Sequence, residues 1–581
     1  MVKKIIFLVV LSLFFATSIF AVEVAILHSS NLYGTVFPYD YFKDSYEAKG
    51  LAVIDTFVNI QRHFYSDLLL IDTGNLLYGT PFGDFSRTLG DSPVVEAFNL
   101  VGYDVFVPGT FELNLNKTEL SKTFQKLKAN ILGGNLRNVQ KVQSYVVKQL
   151  KSGLKIGIIG VVVPYGNYEF DELVNSVRKA ITNAKSEGAN ILVLATSGGI
   201  TNDPITGKQL ALESPLNVGD RLVKEFSKDI DVFLFGNQAF VYASAKSNKV
   251  YSLPGSEGNG INKIILDVEK SGNSWKMKSA RIEHVDFLYY SPSVAFLRNF
   301  ETYERSFQNW LMETVFTSAI TSGFSKYLAL LEDNIALEII NKAIIEYTKS
   351  SAGIWNIFNP NFTGIVEGPI SRKDLYALIG KPTTVKLVRM SGKDIKNILI
   401  RASQSKRYEN GKVVFDEKLV DNPWLFDMFE NIRYEIVANE GTVRNIIYVG
   451  KNLEDNDTVV VSVPSIRTYG KEPVLYGKVI KDFELPVQHI FMNTLDKILN
   501  AKVLDFFDDA NRTTVVKLEY TVNAGDTLRN LSYRLGVSED ALLAENTFIK
   551  DRNLLRPGWK LVYYKGYLNL IPPLKEFFEI K

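Results

Sequence analysis

Ile26-Leu27-His28-Ser29-Ser30-Asn31-Leu32-Tyr33-Gly34 is the stretch whose reading decides the fold. A short apolar run ends in small and polar residues and a glycine, the pattern of a buried strand running into a loop. The form recurs in Leu69-Leu70-Ile71-Asp72-Thr73-Gly74-Asn75, which continues to Gly79-Thr80-Pro81. Gly102-Tyr103-Asp104 leads to Gly109-Thr110-Phe111-Glu112, and Lys155–Gly160 and Asp231–Gly236 are two further runs.

Working outward, strands are predicted at Val22–Leu27, Leu68–Ile71, Val105–Val107, Asn130–Leu132, Ile156–Val163, Ile191–Ala195 and Val232–Phe235. Helical patterns lie between them at Gly50–Phe64, Ser92–Val101, Lys117–Lys128 and Asp171–Glu187. This alternation predicts an α/β (α+β layered) domain around a buried sheet, closing near residue 290. A helix is predicted over Phe296–Ile320, with Phe300, Tyr303, Phe307 and Leu311 on one side, in a linker spanning 291–325. A second α/β block covers 326–510, and a small third domain covers 519–565.

The composition is that of an ordinary globular chain: 46% hydrophobic, 22% charged, net charge +2 over 581 residues. Such a balance gives no electrostatic case for nucleic acid or an anionic membrane. Cys is absent, which excludes disulfides and thiolate metal sites. Lys3 and Lys4, the apolar run Ile5–Phe15 and the small residues up to Ala21 read as a secretory signal, residues 1–21, cleaved after Ala21. The mature protein is therefore expected in the periplasm or cell envelope, without a membrane span.

The loop motifs resemble, in order and across 22–290, those of the 5′-nucleotidase branch of the metallophosphoesterases. The resemblance implies a calcineurin-like metallophosphoesterase sandwich whose chemistry uses two divalent metals roughly 3.5–4 Å apart. Carried over position by position, the ligands are replaced. The first Asp is Asn31 and its partner His is Tyr33. The bridging Asp is Asn75, the next Asn is Thr110 and the catalytic His after it is Phe111. A later His falls at Ser197 or Thr196, and the last His pair at Asn237 and Ala239. Two dications held close together need anionic ligands to offset their repulsion, so neither metal nor catalytic residues are expected here. Only four His occur, and His28 alone lies in a motif, at a position that is not a family ligand; a structural role beneath the loop is expected for it. Asp72 and Glu112, with Asp40 and Asp44 nearby, are expected to hydrogen-bond loop backbone and are the fallback for a rebuilt carboxylate site. Tyr33 and Phe111 would fill the cavity or line an apolar pocket.

Residues 326–510 resemble the family's C-terminal domain through Ile370–Tyr376, Met390–Lys396 and Phe426–Tyr434. Its Gly-Gly-Ile-Arg loop falls on Asn359, Pro360 and Phe362, and its base-stacking aromatic on Phe426, leaving Phe362 and Phe426 as nucleotide-binding candidates, with a place in the core the expected role of Phe426. Gly470-Lys471-Glu472-Pro473 replaces a second family loop. Arg372, Arg389 and Arg401 are available cations.

Tyr520–Leu528 opens a sequence that is similar to a LysM domain, a strand–helix–helix–strand (βααβ) unit. Asp526 is expected to cap its first helix and Ser538 to start its second. The resemblance implies binding of peptidoglycan or another N-acetylglucosamine-containing glycan through Gly525, Asp526, Thr527, Leu528, Arg529, Asn546, Phe548, Ile549 and Asn553, with Trp559 adding a stacking face or covering the core. The expected function is an exported, peptidoglycan-associated pseudoenzyme serving as scaffold or ligand-binding body. The alternatives are an active phosphoesterase with a rebuilt metal site and a silent nucleotide or small-ligand binder.

Overall fold

The computed structural model describes residues 20–567 and 578–580, apart from 90–91, 272–273, 320, 411, 471 and 501–511. The predicted signal lies outside these residues except for Phe20 and Ala21, which begin the first strand, Phe20–Ser29. Lys471 and the end of the second block, 501–510, also lie outside them.

The front domain is built from two sheets. The seven-stranded sheet runs in the order Ser274–Asp286, Gly260–Ser271, Phe20–Ser29, Asp67–Asp72, Val105–Phe106, Asn130–Leu132, Val142–Gln143. The six-stranded sheet runs Val241–Lys246, Lys249–Pro254, Val232–Leu234, Ile191–Thr196, Lys155–Val161, Tyr145–Gln149. Successive strand residues point to opposite faces, and each sheet uses both. Val24, Ile26, Leu69 and Ile71 meet Ile156, Ile158, Val193 and Val232 in the layer between the sheets. Leu27 and Leu70 face outward into the layer that holds Val53, Phe57 and Phe98 of the helices Leu51–Phe64 and Pro93–Val101. Ile159 and Val161 face the helix Leu173–Ser186. All seven sequence-predicted strands are present. Phe20–Ser29, Asp67–Asp72, Val105–Phe106 and Asn130–Leu132 are mutually parallel, so the loops after them open at one edge. The long hairpin Gly260–Ser271/Ser274–Asp286 is not among the sequence-predicted strands.

The predicted linker helix is shorter than expected. It spans Val294–Leu311, and Thr314–Ser318 is a strand paired with Gly368–Ser371. Thr314-Val315-Phe316-Thr317 is rich in β-branched and aromatic residues, and sheet pairing wins over continuation of the helix.

The second block centres on a five-stranded sheet ordered Met428–Glu430, Ala352–Trp355, Thr458–Pro464, Val385–Ser391, Lys478–Phe483. Capping boxes start two of its helices, with Ser371 and Asp374 before Arg372–Ile379 and Ser391 and Asp394 before Gly392–Ser403.

The C-terminal unit has its own small core of Val522, Leu528, Leu531, Leu535, Leu542, Ile549 and Leu561. Its strands are nevertheless part of a larger sheet, ordered Lys451–Asn452, Thr442–Tyr448, Ile432–Val437, Arg512–Thr521, Lys560–Gly566. The strand Arg512–Thr521 pairs in parallel with Tyr434–Val437 and then antiparallel with Lys560–Gly566. Arg444 fastens the joint: its guanidinium lies 3.7 Å over the Tyr564 ring and pairs with Glu435 at 3.0 Å and with Glu545. Arg512 is buried and donates to the Ala329 carbonyl at 2.6 Å. Among the described residues no helix is long and apolar enough to cross a membrane.

Candidate functional site

The parallel strand ends bring Asn31, Asn75, Thr110 and Asn237 together, although they are far apart in sequence. Asn31, Asn75 and Asn237 have left-handed backbone, with φ of 54°, 59° and 61°, and so does Tyr33 at 52°. Asn tolerates this region and a ring-bearing residue such as Tyr resists it, so the loops hold a demanding shape. Asn31 Nδ2 donates to the carbonyls of Gln238 at 3.0 Å and Gly255 at 3.2 Å. Its Oδ1 therefore faces inward, where Asn75 Nδ2 donates to it at 3.0 Å and to Asn237 Oδ1 at 3.3 Å. Asn75 Oδ1 accepts from the Phe111 backbone N–H at 3.0 Å, which fixes the amide orientation. Thr110 Oγ1 lies within 3.1 Å of Asn237 Oδ1 and donates to Glu484 Oε2 at 2.9 Å.

This donor set does not fit a metal pair. At the bridging position an N–H group of Asn75 points at two amide oxygens, where a dication needs an anionic oxygen. The ring of Phe111 lies 5.1 Å from that of Tyr33 and 5.1 Å from that of Tyr78. Ser197 and Thr196 turn to backbone: Ser197 Oγ accepts from the Val163 N–H at 3.1 Å, and Thr196 Oγ1 from that of Gly198 at 3.1 Å. Ala239 contributes no donor. Among the described residues no group of three or more His, Cys, Asp or Glu is placed to hold a metal ion.

Asp72 and Glu112 are buried and committed to the loops. Asp72 accepts from Ser29 Oγ at 2.6 Å and the Gly74 N–H at 2.8 Å, and burial pushes its pKa up to about 8. Glu112 accepts from the backbone N–H groups of Gly109, Asn75, Leu76 and Leu77 at 2.8–3.1 Å. Burial still raises its pKa above the ordinary carboxylate range. Asp40 belongs to a separate ion cluster with Lys43 and Lys49, and Asp44 pairs with Lys373.

His28 lies beneath the loops. Thr73 Oγ1 donates to the Phe235 carbonyl and so accepts from His28 Nε2 at 2.9 Å, while Ser252 Oγ, 2.7 Å away, takes the Asn262 amide proton and donates to Nδ1. Burial lowers its pKa to about 3 and keeps the ring neutral.

The second block closes over this centre, and most of the closing residues carry no local motif. Glu484 is buried, and its pKa is pushed up to about 7 by burial, with Lys386 opposing. Its backbone N–H donates to Tyr165 Oη at 3.0 Å. Tyr33, Phe111, Asn237, Thr384, Tyr469 and Glu484 are among the residues around the remaining gap, whose space for the centre of a water-sized sphere is about 20 Å³, enough for one or two waters. Asp84 accepts from Tyr376 Oη at 2.7 Å, Gln488 Nε2 at 3.0 Å and His489 Nε2 at 3.1 Å, and Asn359 Nδ2 donates to the Phe42 carbonyl at 2.8 Å.

Phe426 is not an open base platform. It is 1% exposed, with Lys406 Nζ 4.1 Å and the Arg512 guanidinium 5.5 Å from its ring centre. Phe362 is half-buried beside Phe324. Arg372 pairs with Glu313, Arg401 pairs with Asp427, and Arg389 is exposed. Arg467 is a buried cation that the sequence did not single out, held on both Asp427 oxygens at 2.8 and 2.9 Å.

In the C-terminal unit, Thr527, not Asp526, caps the first helix: Thr527 Oγ1 accepts from the Asn530 N–H, and Asn530 Oδ1 from the Thr527 N–H. Asp526 accepts instead from Tyr520 Oη and Arg534 at 2.9 Å. Ser538 caps the second helix, Glu539–Glu545. Gly525, Thr527, Arg529, Phe548 and Asn553 are exposed. Leu528 and Ile549 are core residues, and Asn546 is buried with its amide bonded to both backbone groups of Val562 at 2.8 Å, so these three side chains are not free to hold a ligand. Trp559 is half-buried, edge-on to Phe548 at 5.2 Å.

Residues 318–476 match the family described as 5′-nucleotidase, C-terminal domain, and residues 520–562 match the LysM domain. The chain joins a 5′-nucleotidase fold to a LysM domain. It is 21% identical over 542 residues to a 2′,3′-cyclic-nucleotide 2′-phosphodiesterase/3′-nucleotidase of Salmonella typhimurium, covering 77% of this chain and 82% of that protein. A Staphylococcus aureus protein assigned as a 5′-nucleotidase matches its structure with a TM-score of 0.61 at 19% identity, covering 85% of this chain and 99% of the other. The NAD nucleotidase of Haemophilus influenzae gives 0.54 at 15% identity, covering 85% and 99%. At these identities the likeness to the solved structures concerns the fold.

Proposed function

We propose that this member of the 5′-nucleotidase fold is an exported, peptidoglycan-associated protein that works as a scaffold or ligand-binding body without phosphoesterase turnover. The observation that carries the reading is the Asn75 amide. Its N–H group sits between Asn31 Oδ1 and Asn237 Oδ1, where the family resemblance puts a metal-bridging carboxylate. Two carboxylates at Asn31 and Asn75 would repel unless cations lay between them. Two amides satisfy one another and need no ion. The LysM domain supports attachment to N-acetylglucosamine-containing glycan, and its exposed residues Thr527, Arg529, Phe548 and Asn553 are free of the joint that Arg444 makes with Glu545. The envelope location rests on the signal-like N-terminus and on that domain.

The test is metal content by elemental analysis after incubation with Mn²⁺, Zn²⁺, Mg²⁺ and Ca²⁺, with phosphate release from nucleotides and sedimentation with purified peptidoglycan measured alongside. Little bound metal, no phosphate release and co-sedimentation with peptidoglycan are expected. One or two equivalents of metal lost on Asp72→Asn or Glu112→Gln, together with turnover, would replace the proposal with a rebuilt hydrolase. Failure to sediment with peptidoglycan would remove the wall attachment.

A further inference from the structure

A second cleft lies away from the amide centre, where the helix Pro81–Thr88, the linker helix Val294–Leu311 and the second block's helices Arg372–Ile379 and Val487–Asn500 converge. It encloses about 360 Å³, within the range of roughly 300–1,000 Å³ usual for small-molecule sites. Its separation from the amide centre is physical. Asp84 stands between them, bonded to the Gly79 N–H at 3.2 Å, while Gly79 packs against Phe111 and Tyr33.

The lining has two characters. Trp310, Leu375, Tyr376 and Met492 make an apolar body, and Met492 is 39% exposed. Arg87, Arg372 and His489 are the basic side chains of the same wall. Each is set against an aromatic ring: Arg372 lies 4.6 Å over Trp310, Arg87 lies 4.8 Å over Tyr78, and the His489 ring is nearly parallel to Tyr78 at 5.8 Å. Asp84 fixes two members of the wall from behind, through Tyr376 Oη and His489 Nε2. The partners of the two arginines, Glu119 and Glu313, are 31% and 58% exposed at the side chain, so solvent weakens those ion pairs. Ring-stacked guanidiniums beside an apolar body suit a flat ligand that carries one anionic group, because Arg offers paired donors to a carboxylate or phosphate and stacks on π faces.

We propose that this cleft is a binding site for a small flat organic anion, an aromatic or heteroaromatic carboxylate or phosphate, held across the front domain, the linker helix and the second block. The ring lies against Trp310 and Met492, and the anionic group meets Arg372 and Arg87. This site is independent of the amide centre and of the LysM domain.

The test titrates the chain from Val22 with naphthalene-1-carboxylate and with the uncharged naphthalene-1-carboxamide, following calorimetry and tryptophan fluorescence. Saturable binding of the carboxylate is expected, with the carboxamide weaker by about tenfold or more, the worth of a charge-assisted contact. Arg372→Gln should remove that preference, and Met492→Trp, which fills the cleft from a half-exposed position, should abolish binding while leaving the melting temperature in place. Trp310→Phe should remove the fluorescence response and keep the heat. Equal binding of acid and amide, binding that survives Met492→Trp, or no saturable binding of the carboxylate would each overturn the proposal.

Discussion

Asn75 is the residue on which the chemistry of the front domain turns. Replacing it with Asp keeps its size and removes the N–H group that joins Asn31 Oδ1 to Asn237 Oδ1. A buried carboxylate then faces two amide oxygens, and Asn75→Asp should cost about 1–3 kcal/mol. Thermal melts with and without Mn²⁺ read the result, and a variant as stable as the parent would show that the amide network is dispensable. His28 makes a second residue-level prediction. Its folded pKa, about 3, lies below its ordinary value of 6.5 because of burial. Its share of stability is whole above pH 6.5 and is lost as pH falls toward 3. Acid unfolding of the parent should therefore be steeper over that window than that of His28→Gln, by up to about 1.4 kcal/mol per pH unit. Parallel curves would place the proton uptake elsewhere. The sequence made the strand-end amides and rings legible at once, since they stand in short motifs that resemble those of the 5′-nucleotidases. It did not disclose which way each amide points, because that follows from the carbonyls of Gln238 and Gly255 and the N–H of Phe111, which only folding brings into reach.

At the scale of elements, the strand Arg512–Thr521 does two jobs. It opens the LysM domain and extends the second block's sheet beside Ile432–Val437. The LysM domain is thereby joined to the second block by a shared sheet rather than hung on a tether. Arg444→Ala removes the ring contact and both carboxylate partners of the joint, worth about 1–2 kcal/mol together. Amide exchange along Lys517–Tyr520 should quicken in that variant while the front-domain strands keep their protection. Unchanged exchange would mean that backbone pairing alone carries the joint. Thr527→Ala, which removes the cap of the helix Leu528–Leu535, should lower LysM stability by about 1 kcal/mol. The LysM pattern of strand, helix, helix and strand was legible in sequence, since its turns and the Ser538 cap are local, although the first cap fell on Thr527 and not on Asp526. The shared sheet was not, since its pairing joins residues about eighty positions apart.

At the scale of the molecule, Glu484 ties the second block to the amide centre through Thr110. Burial lifts its folded pKa to about 7, against an ordinary 4.5. Its contribution to stability is whole below pH 4.5 and is lost as pH rises through 7. The melting temperature of the parent should fall more steeply across that window than that of Glu484→Gln, in which Asp72 and Glu332, with pKa values of about 8 and about 7, still act in the same direction and His28 acts against them below pH 6.5. Circular dichroism melts from pH 4.5 to 8 decide it, and an equal fall in both proteins would free Glu484 of the role.

The amino-acid sequence by itself determined the order of the two matched domains, the buried strands of the front sandwich, the amides and rings that stand at its strand-end loops and the presence of the LysM domain. Those properties reside in local patterns: apolar period, turn residues, caps and short motifs. Tertiary structure alone decided how the amides of Asn31, Asn75 and Asn237 satisfy one another, that Lys406 and Arg512 cover Phe426, that Glu484 closes the gap, and that the LysM strands complete another domain's sheet. Each of these depends on residues brought together from distant segments, and a hydrogen bond or a buried face has no sign in sequence until its partner is in place.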